Sequence, residues 1–288
     1  MERALDRMQD SLSRQFSDEL AVLALRTPTL PPATHTNCYL LGDKRITLVE
    51  PASPWEDEQD RLEECLAHRG GVIERIFLTH HHLDHIGGVE AVRHRYGCPV
   101  VAHPRTAELL SGQIQIDVCM DEGDTLDTDQ GSWDVLHTPG HATGHLCLAN
   151  RRTGDFVVGD MVAGEGTIVL DPPEGVLADY IASLERLRLE KPRVLHPAHG
   201  DAILDADQRL REYIEHRHMR TEQVRSVLQK HQSAKPIDLV PEIYPDLPVA
   251  FHGVAERQVL CHLHWLESEG YVTPEEEAWR IMEVSSGR

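Results

Sequence analysis

An α/β fold is predicted for residues 1–206, with a small winged-helix-like module over 207–288. Three observations predict it. The stretches RITLVE (45–50) and VIERIFLT (72–79) are β-branched and apolar, as strands are. Between them EDEQDRLEECLAHRG (56–70) has helical spacing and stops at Gly70 and Gly71, a β-α-β alternation. From about residue 207 strand signals thin out and long charged helices take over.

The elements follow in order. The first 25 or so residues read as a lead-in segment or helix, and TPTLPPATHTNCYLLG (27–42) as a proline-rich entry to a strand. GGVEAVRHRYG (87–97) predicts a short helix, PVVAH (99–103) a strand, and PRTAELLSG (104–112) a helix with proline at its start. TLD (125–127), SWDVLHT (132–138), HLCLAN (145–150) and DFVVGD (155–160) read as four further strands. LADYIASLERLRLE (177–190) is an amphipathic helix and RVLHP (193–197) another strand. DADQRLREYIEHRHMRTEQVRSVLQKH (205–231) is a long helix, followed by PIDLVPEIY (236–244), the helix VAERQVLCHLHWLESEG (254–270) and a strand-like pair in YVTPEEEAWRIMEV (271–284).

Composition narrows the function. With 48 acidic against 28 basic residues the formal net charge is −20, which repels polyanions and disfavours nucleic acid as a partner. No apolar run reaches the roughly 18 residues that span a bilayer, and the N-terminus has no apolar signal region, so a cytoplasmic protein is expected. Cys38, Cys65, Cys98, Cys119, Cys147 and Cys261 form no CxxC pair and read as buried thiols.

The 19 histidines are the unusual feature, and four of them lie between positions 80 and 85. In Thr79-His80-His81-His82-Leu83-Asp84-His85-Ile86-Gly87-Gly88 an apolar strand ends and a glycine pair opens a helix. In extended chain His80, His82 and Asp84 share one side while His81 points away, and the turn brings His85 to the same space. Four donors within six residues exceed what one open tetrahedral site needs, which suggests two metals. His141 in HTPGHATGH (137–145), Asp160 after FVVG and His199 in HPAHG sit in comparable places, at strand ends among small residues. His137, His145 and His196 flank these donors and are candidate supporting groups. His35, His68, His94, His103, His216, His218, His231 and His252 read as ordinary surface or satisfied core residues.

HxHxDH with its glycine pair, then TPGHATGH, GD and PAHG, in this order and spacing, resembles the metallo-β-lactamase superfamily from about Thr36 to Asp201. The resemblance implies an αββα sandwich of two mixed sheets as the catalytic domain. It implies one metal at His80, His82 and His141, another at Asp84, His85 and His199, and Asp160 bridging them. It further implies zinc as the divalent ion, a bridging hydroxide as nucleophile, and Asp84 as the catalytic residue that orients it. Glu50 stands where many relatives have Asp, a position that supports the ligand loop.

GDMVAGEGTIVLDPPEGVLADYIASLERL (159–187) and the C-terminal helices resemble a lactamase-like branch with an appended winged helix. That branch includes an endoribonuclease acting on single-stranded RNA, so phosphodiester hydrolysis is the leading expectation. The alternatives are a thioesterase resembling hydroxyacylglutathione hydrolases and a non-catalytic metal-binding scaffold. A β-lactamase proper and a diiron oxidoreductase fit less well, lacking an export signal and a flavin domain respectively. Residues 207–288 carry 10 basic and 14 acidic residues, so the module is expected to pack on the core or on a second subunit of a homodimer rather than read DNA.

Overall fold

The computed structural model describes residues 14–17 and 19–282, in two compact units. The first takes the described residues up to Thr138, with Gly144–Thr167 and Glu190–Ala206; the second takes Pro139–Thr143, Ile168–Leu189 and the described residues from Asp207 onward.

The first unit opens with β1 (Arg14–Ser17), β2 (Leu20–Arg26), β3 (His35–Leu41) and β4 (Arg45–Val49), paired in antiparallel order. The expected lead-in segment or helix is therefore corrected where the structure describes it, since Leu20–Arg26 is a strand; residues 1–13 lie outside the description. The run LAVLALR has helix-forming composition, but its backbone pairs along its length with His35–Leu41, and tertiary pairing overrides local propensity.

Helix α1 (Glu56–Arg69) begins with Glu56, Asp57 and Glu58 and ends with His68 and Arg69, charges that complement its dipole. It stops where Gly70 takes a positive φ and returns its N–H to Leu66. The chain continues through β5 (Val72–Phe77), α2 (Leu83–Ile86), α3 (Val89–Tyr96), β6 (Val100–Ala102), α4 (Pro104–Leu109) and β7 (Val118–Cys119). Strands β4 to β7 pair in parallel and complete a seven-stranded sheet. A second sheet has the order β12-β11-β10-β9-β8, from β8 (Thr125–Thr128), β9 (Gly131–His137), β10 (Leu146–Asn150), β11 (Asp155–Gly159) and β12 (Val194–Pro197).

Strand alternation sorts the core. Tyr39 and Leu41 of β3 meet Trp133, Val135, Leu146 and Leu148 of the second sheet, forming the layer between the sheets. Their neighbours Cys38 and Leu40 face the other way, against Leu62 and Leu66 of α1 and Val89 and Val92 of α3. Five cysteines are buried, but Cys119 is exposed on the two-residue edge strand, which corrects the expectation of six buried thiols.

The second unit contains α5 (Leu177–Leu189), α6 (Ala206–His231), β13 (Ser233–Ala234), α7 (Pro236–Ile243), a 3₁₀ turn (Val249–Phe251), α8 (His252–Ser268), β14 (Val272–Glu275) and β15 (Ala278–Ile281). Its small sheet has the order β13-β15-β14. Val224 and Leu228 of α6, Leu239 and Val240 of α7 and Val259 and Leu263 of α8 share one core with Trp279 of β15. No helix among the described residues is long and apolar enough to cross a membrane.

His262 is expected to make this unit acid-labile. Its Nδ1 lies 2.8 Å from Thr221 Oγ1, and burial, reinforced by Arg217 and Arg220, pushes the imidazole down to about 3. An unfolded chain binds this proton near pH 6.5 while the folded one refuses it. The contribution to stability is therefore complete above pH 6.5 and is lost as pH falls from there toward 3. By pH 4 the expected loss is on the order of 3 kcal/mol. Thermal unfolding of the wild type and His262→Gln across pH 7 to 4 checks this. The variant is expected to show the shallower acid slope, and identical slopes would contradict the assignment.

Candidate metal centre

The donors gather at the C-terminal ends of β5, β11 and β12, where loops emerge from the sheets. After β5 the chain stays extended through His82 (φ −68°, ψ 149°) and then turns into α2, which presents Asp84 and His85. Gly87 and Gly88 seat this turn. Their N–H groups reach Ala52 O and Pro51 O, and a Cβ on either would lie 2.7 Å or less from those carbonyl oxygens. Gly159 precedes Asp160, and Ala198 leads into His199.

Hydrogen bonds fix which imidazole nitrogens are free to donate a lone pair, because a carbonyl can only accept. His199 Nδ1–H donates to His35 O at 2.9 Å, which leaves Nε2 as the nitrogen that faces the carboxylates. His80 Nδ1 lies 2.9 Å from Thr79 Oγ1, whose hydroxyl donates to Glu50, so His80 Nε2 turns to His82 Nδ1 at 3.0 Å. His85 Nδ1 sits 3.0 Å from Glu50 Oε1, an ion-pair contact lacking hydrogen-bond alignment. Glu50 is fully buried and takes a positive φ of 57°, a conformation seldom held by a side-chain-bearing residue.

His85 Nε2 lies 3.7 Å from Asp84 Oδ1 and 3.6 Å from Asp160 Oδ2, and His199 Nε2 lies 3.5 Å from Asp84 Oδ2 and 3.4 Å from Asp160 Oδ1. These are too long for strong hydrogen bonds, yet close to the roughly 3.3 Å that separates donors around a tetrahedral metal. Among the described residues, buried Glu50 Oε2 and His85 Nε2 have no hydrogen-bond partner. Three carboxylates within a buried set of imidazoles require positive charge. Burial disfavours a charged His85, yet Glu50, Asp160 and Asp84 together raise it well above the ordinary histidine value. Burial likewise opposes ionised Asp160, but His199 and His85 hold it well below the usual carboxylate range. The donor set fits divalent cations.

The structure therefore brings together His80 with His82, and His85 and His199 with Asp84 and Asp160. His141 lies on the loop Pro139–Thr143 of the second unit, buried, with Nδ1 donating to Val169 O at 2.9 Å. Of the candidate supporting groups, Glu50 touches His85, and His145 Nε2 accepts the backbone N–H of Asp160 at 3.1 Å. Burial pushes His145 down to about 3, so it stays neutral. His196 instead pairs with Asp155 at 3.2 Å, at the opposite end of β11 from Asp160. His137 stacks on His103 at 4.3 Å, and the two group with Asp121. Its place on β9 sends it to a separate cluster, which a position next to a ligand motif does not reveal. His103 is buried and satisfied, as expected of it: its Nδ1 caps α4 by accepting from Arg105 N–H while Nε2 meets Asp121 at 3.2 Å. Sequence reasoning also misses Thr79 and the carbonyls of His35 and Val169, which orient the imidazoles of His80, His199 and His141.

A cleft of about 720 Å³ opens beside His199, lined by Thr34, Asn37, Arg61, Glu165 and Asp201 among others.

The chain is similar to known proteins over most of its length. The family model described as the metallo-beta-lactamase superfamily matches residues 31–199, and that of the beta-lactamase associated winged helix domain matches residues 236–279. A relative in Drosophila melanogaster, called a beta-lactamase-like protein 2 homolog, is 30% identical over 278 residues, covering 90% of this chain and 91% of its own. An atrochrysone carboxyl ACP thioesterase of Passalora fulva is 28% identical over 218 residues, covering 73% of this chain and 63% of that protein. The crystal structure of a metallo-beta-lactamase family protein from Thermus thermophilus superposes with a TM-score of 0.78 at 23% identity, covering 93% of this chain and all of that one.

Proposed function

We propose, for a chain that belongs to the metallo-beta-lactamase superfamily, that seven donors hold two zinc ions and that the protein hydrolyses acyl thioesters. The set is His80, His82 and His141 for one ion and Asp84, His85 and His199 for the other, with Asp160 shared. The observation that carries it is the carboxylate pair Asp84 and Asp160 facing the Nε2 atoms of His85 and His199 at 3.4–3.7 Å. Support for His141 comes from chain connectivity. Its loop leaves from Thr138, whose Oγ1 lies 2.8 Å from His145 Nδ1, and His145 in turn holds the Asp160 backbone. Imidazole and carboxylate donors suit zinc.

When bound, such a metal pair supplies Lewis acidity toward the substrate oxygen and lowers the pKa of water. Asp84, more open than Asp160, is placed to orient the attacking water and hold its proton. Glu50 and Thr79 keep His85 and His80 turned toward the centre.

The substrate class follows from charge. Glu165 and Asp201 line the cleft against Arg61, whose guanidinium is already paired with buried Glu58. That lining, on a chain of net charge −20, suits an acyl compound better than a polyphosphate strand. The thioesterase of Passalora fulva is consistent with this class. Phosphodiester hydrolysis of single-stranded RNA is the second reading, favoured by the winged-helix match, which is the architecture of the branch that the sequence resembles.

Zinc-loaded protein is expected to hydrolyse acyl thioesters of coenzyme A or N-acetylcysteamine. Chelation is expected to abolish turnover, and added zinc to restore it. Asp84→Ala is expected to lower kcat by about 10³-fold. RNA cleavage with inert thioesters would overturn the substrate class in favour of the second reading.

A further inference from the structure

We propose that helices α6 and α8 position the imidazole of His141, acting through the backbone of residues 168–172; this rests on His141 being a metal ligand. The loop carrying His141 is tied to the following chain at several points. Gly140 O accepts the Val176 N–H at 2.8 Å, Pro139 O accepts the Ser183 hydroxyl at 2.8 Å, and the Thr143 hydroxyl donates to Glu174. The decisive contact is His141 Nδ1–H to Val169 O, which leaves Nε2 as the coordinating nitrogen and sets the ring's orientation.

Val169 is itself held by its neighbours. Ile168 O accepts from Arg217 Nη2 of α6. Leu170 O accepts from Gln258 Nε2 at 2.5 Å and from Cys261 Sγ at 3.4 Å, both on α8. Arg257 donates to Asp171 and to Pro172 O, and Cys261 Sγ also reaches Gly175 O at 3.3 Å. Carbonyls along an extended chain alternate in direction, and here Ile168 and Leu170 turn to the helices while Val169 turns to His141.

Arg217 is the informative member. It is 2% exposed, and its contacts here are neutral: Ile168 O, Gln258 Oε1 at 3.4 Å and the face of Tyr180 at 5.0 Å. A buried guanidinium among neutral groups stabilises a fold poorly compared with an apolar side chain of similar size. Its geometric effect is to fix one carbonyl next to the His141 acceptor. Arg217, Gln258 and Cys261 are positioning residues, and they give the C-terminal helices a role in metal binding that does not require nucleic acid.

The test is cobalt(II) titration of metal-free, full-length protein, followed by absorbance and equilibrium dialysis. Wild type is expected to bind two equivalents, and His141→Ala to lose tight binding of one. Arg217→Met and Gln258→Leu are expected to weaken that same equivalent by about 10–100-fold and to leave the other unchanged. Arg217→Lys is expected to recover part of the loss, and the surface change Arg225→Ala to match wild type. If Arg217→Met does not fold, Gln258→Leu decides alone. Wild-type binding by the folded Arg217 and Gln258 variants, with one equivalent lost in His141→Ala, overturns the positioning role only. Two tight equivalents in His141→Ala would instead overturn the ligand assignment beneath it.

Discussion

Alanine at position 160 is expected to lower thioester turnover by about 10³-fold or more and to reduce bound metal by at least one ion per chain. Asp160, like Asp84, faces both His85 and His199, with one oxygen 3.6 Å from the first and the other 3.4 Å from the second. Its backbone N–H is fixed by His145, so the side chain has little freedom to be replaced by a neighbour. In the metal-free protein, against the cost of burial, His199 and His85 hold the Asp160 carboxylate well below its usual range, so the ionised side chain contributes to stability there. The metal-free variant is therefore expected to melt below metal-free wild type, and the metal-dependent rise in Tm to shrink as well. Calorimetry with and without zinc, alongside kcat, separates the two effects. A variant with full activity and two bound ions would contradict the role given to Asp160.

The second large effect is on stability. Gly140→Ala is expected to cost about 3–5 kcal/mol and to abolish activity by displacing His141. Gly140 has φ +129°, which a residue with a side chain rarely adopts. A Cβ there would lie 2.2 Å from both Cα and N of Tyr180, backbone atoms of α5 that cannot swing aside. The chain would have to move the loop, breaking the hydrogen bond from Val176 N–H to Gly140 O and with it the seat of His141. Denaturant unfolding checks the first part and metal content the second. A variant as stable as wild type would show that the loop has slack it is not credited with here.

The ligand loop was legible because its chemistry is local. His80, His82, Asp84 and His85 sit within six residues at a strand end, so strand alternation and one turn suffice to bring them together. The β-α-β alternation and the C-terminal helices were legible for the same reason, since periodicity and glycine stops are local signals. Leu20–Arg26 was not, because its strand character comes from pairing with β3 rather than from its own Ala- and Leu-rich composition. His196 and His137 lie on strands and serve Asp155 and His103, whereas His199 and His141 lie in the loops that follow those strands. Arg217 lies in a helix whose charge pattern suggests solvent, and nothing in that pattern marks it as buried. The carbonyls of His35 and Val169 leave no trace in a sequence at all, because every residue carries one.

The cation pair itself is tested most directly by counting metal. Protein stripped with chelator, incubated with excess zinc and desalted is predicted to retain about two ions per chain by elemental analysis. Retention of none, with iron and manganese equally refused, would contradict a metal centre at these residues.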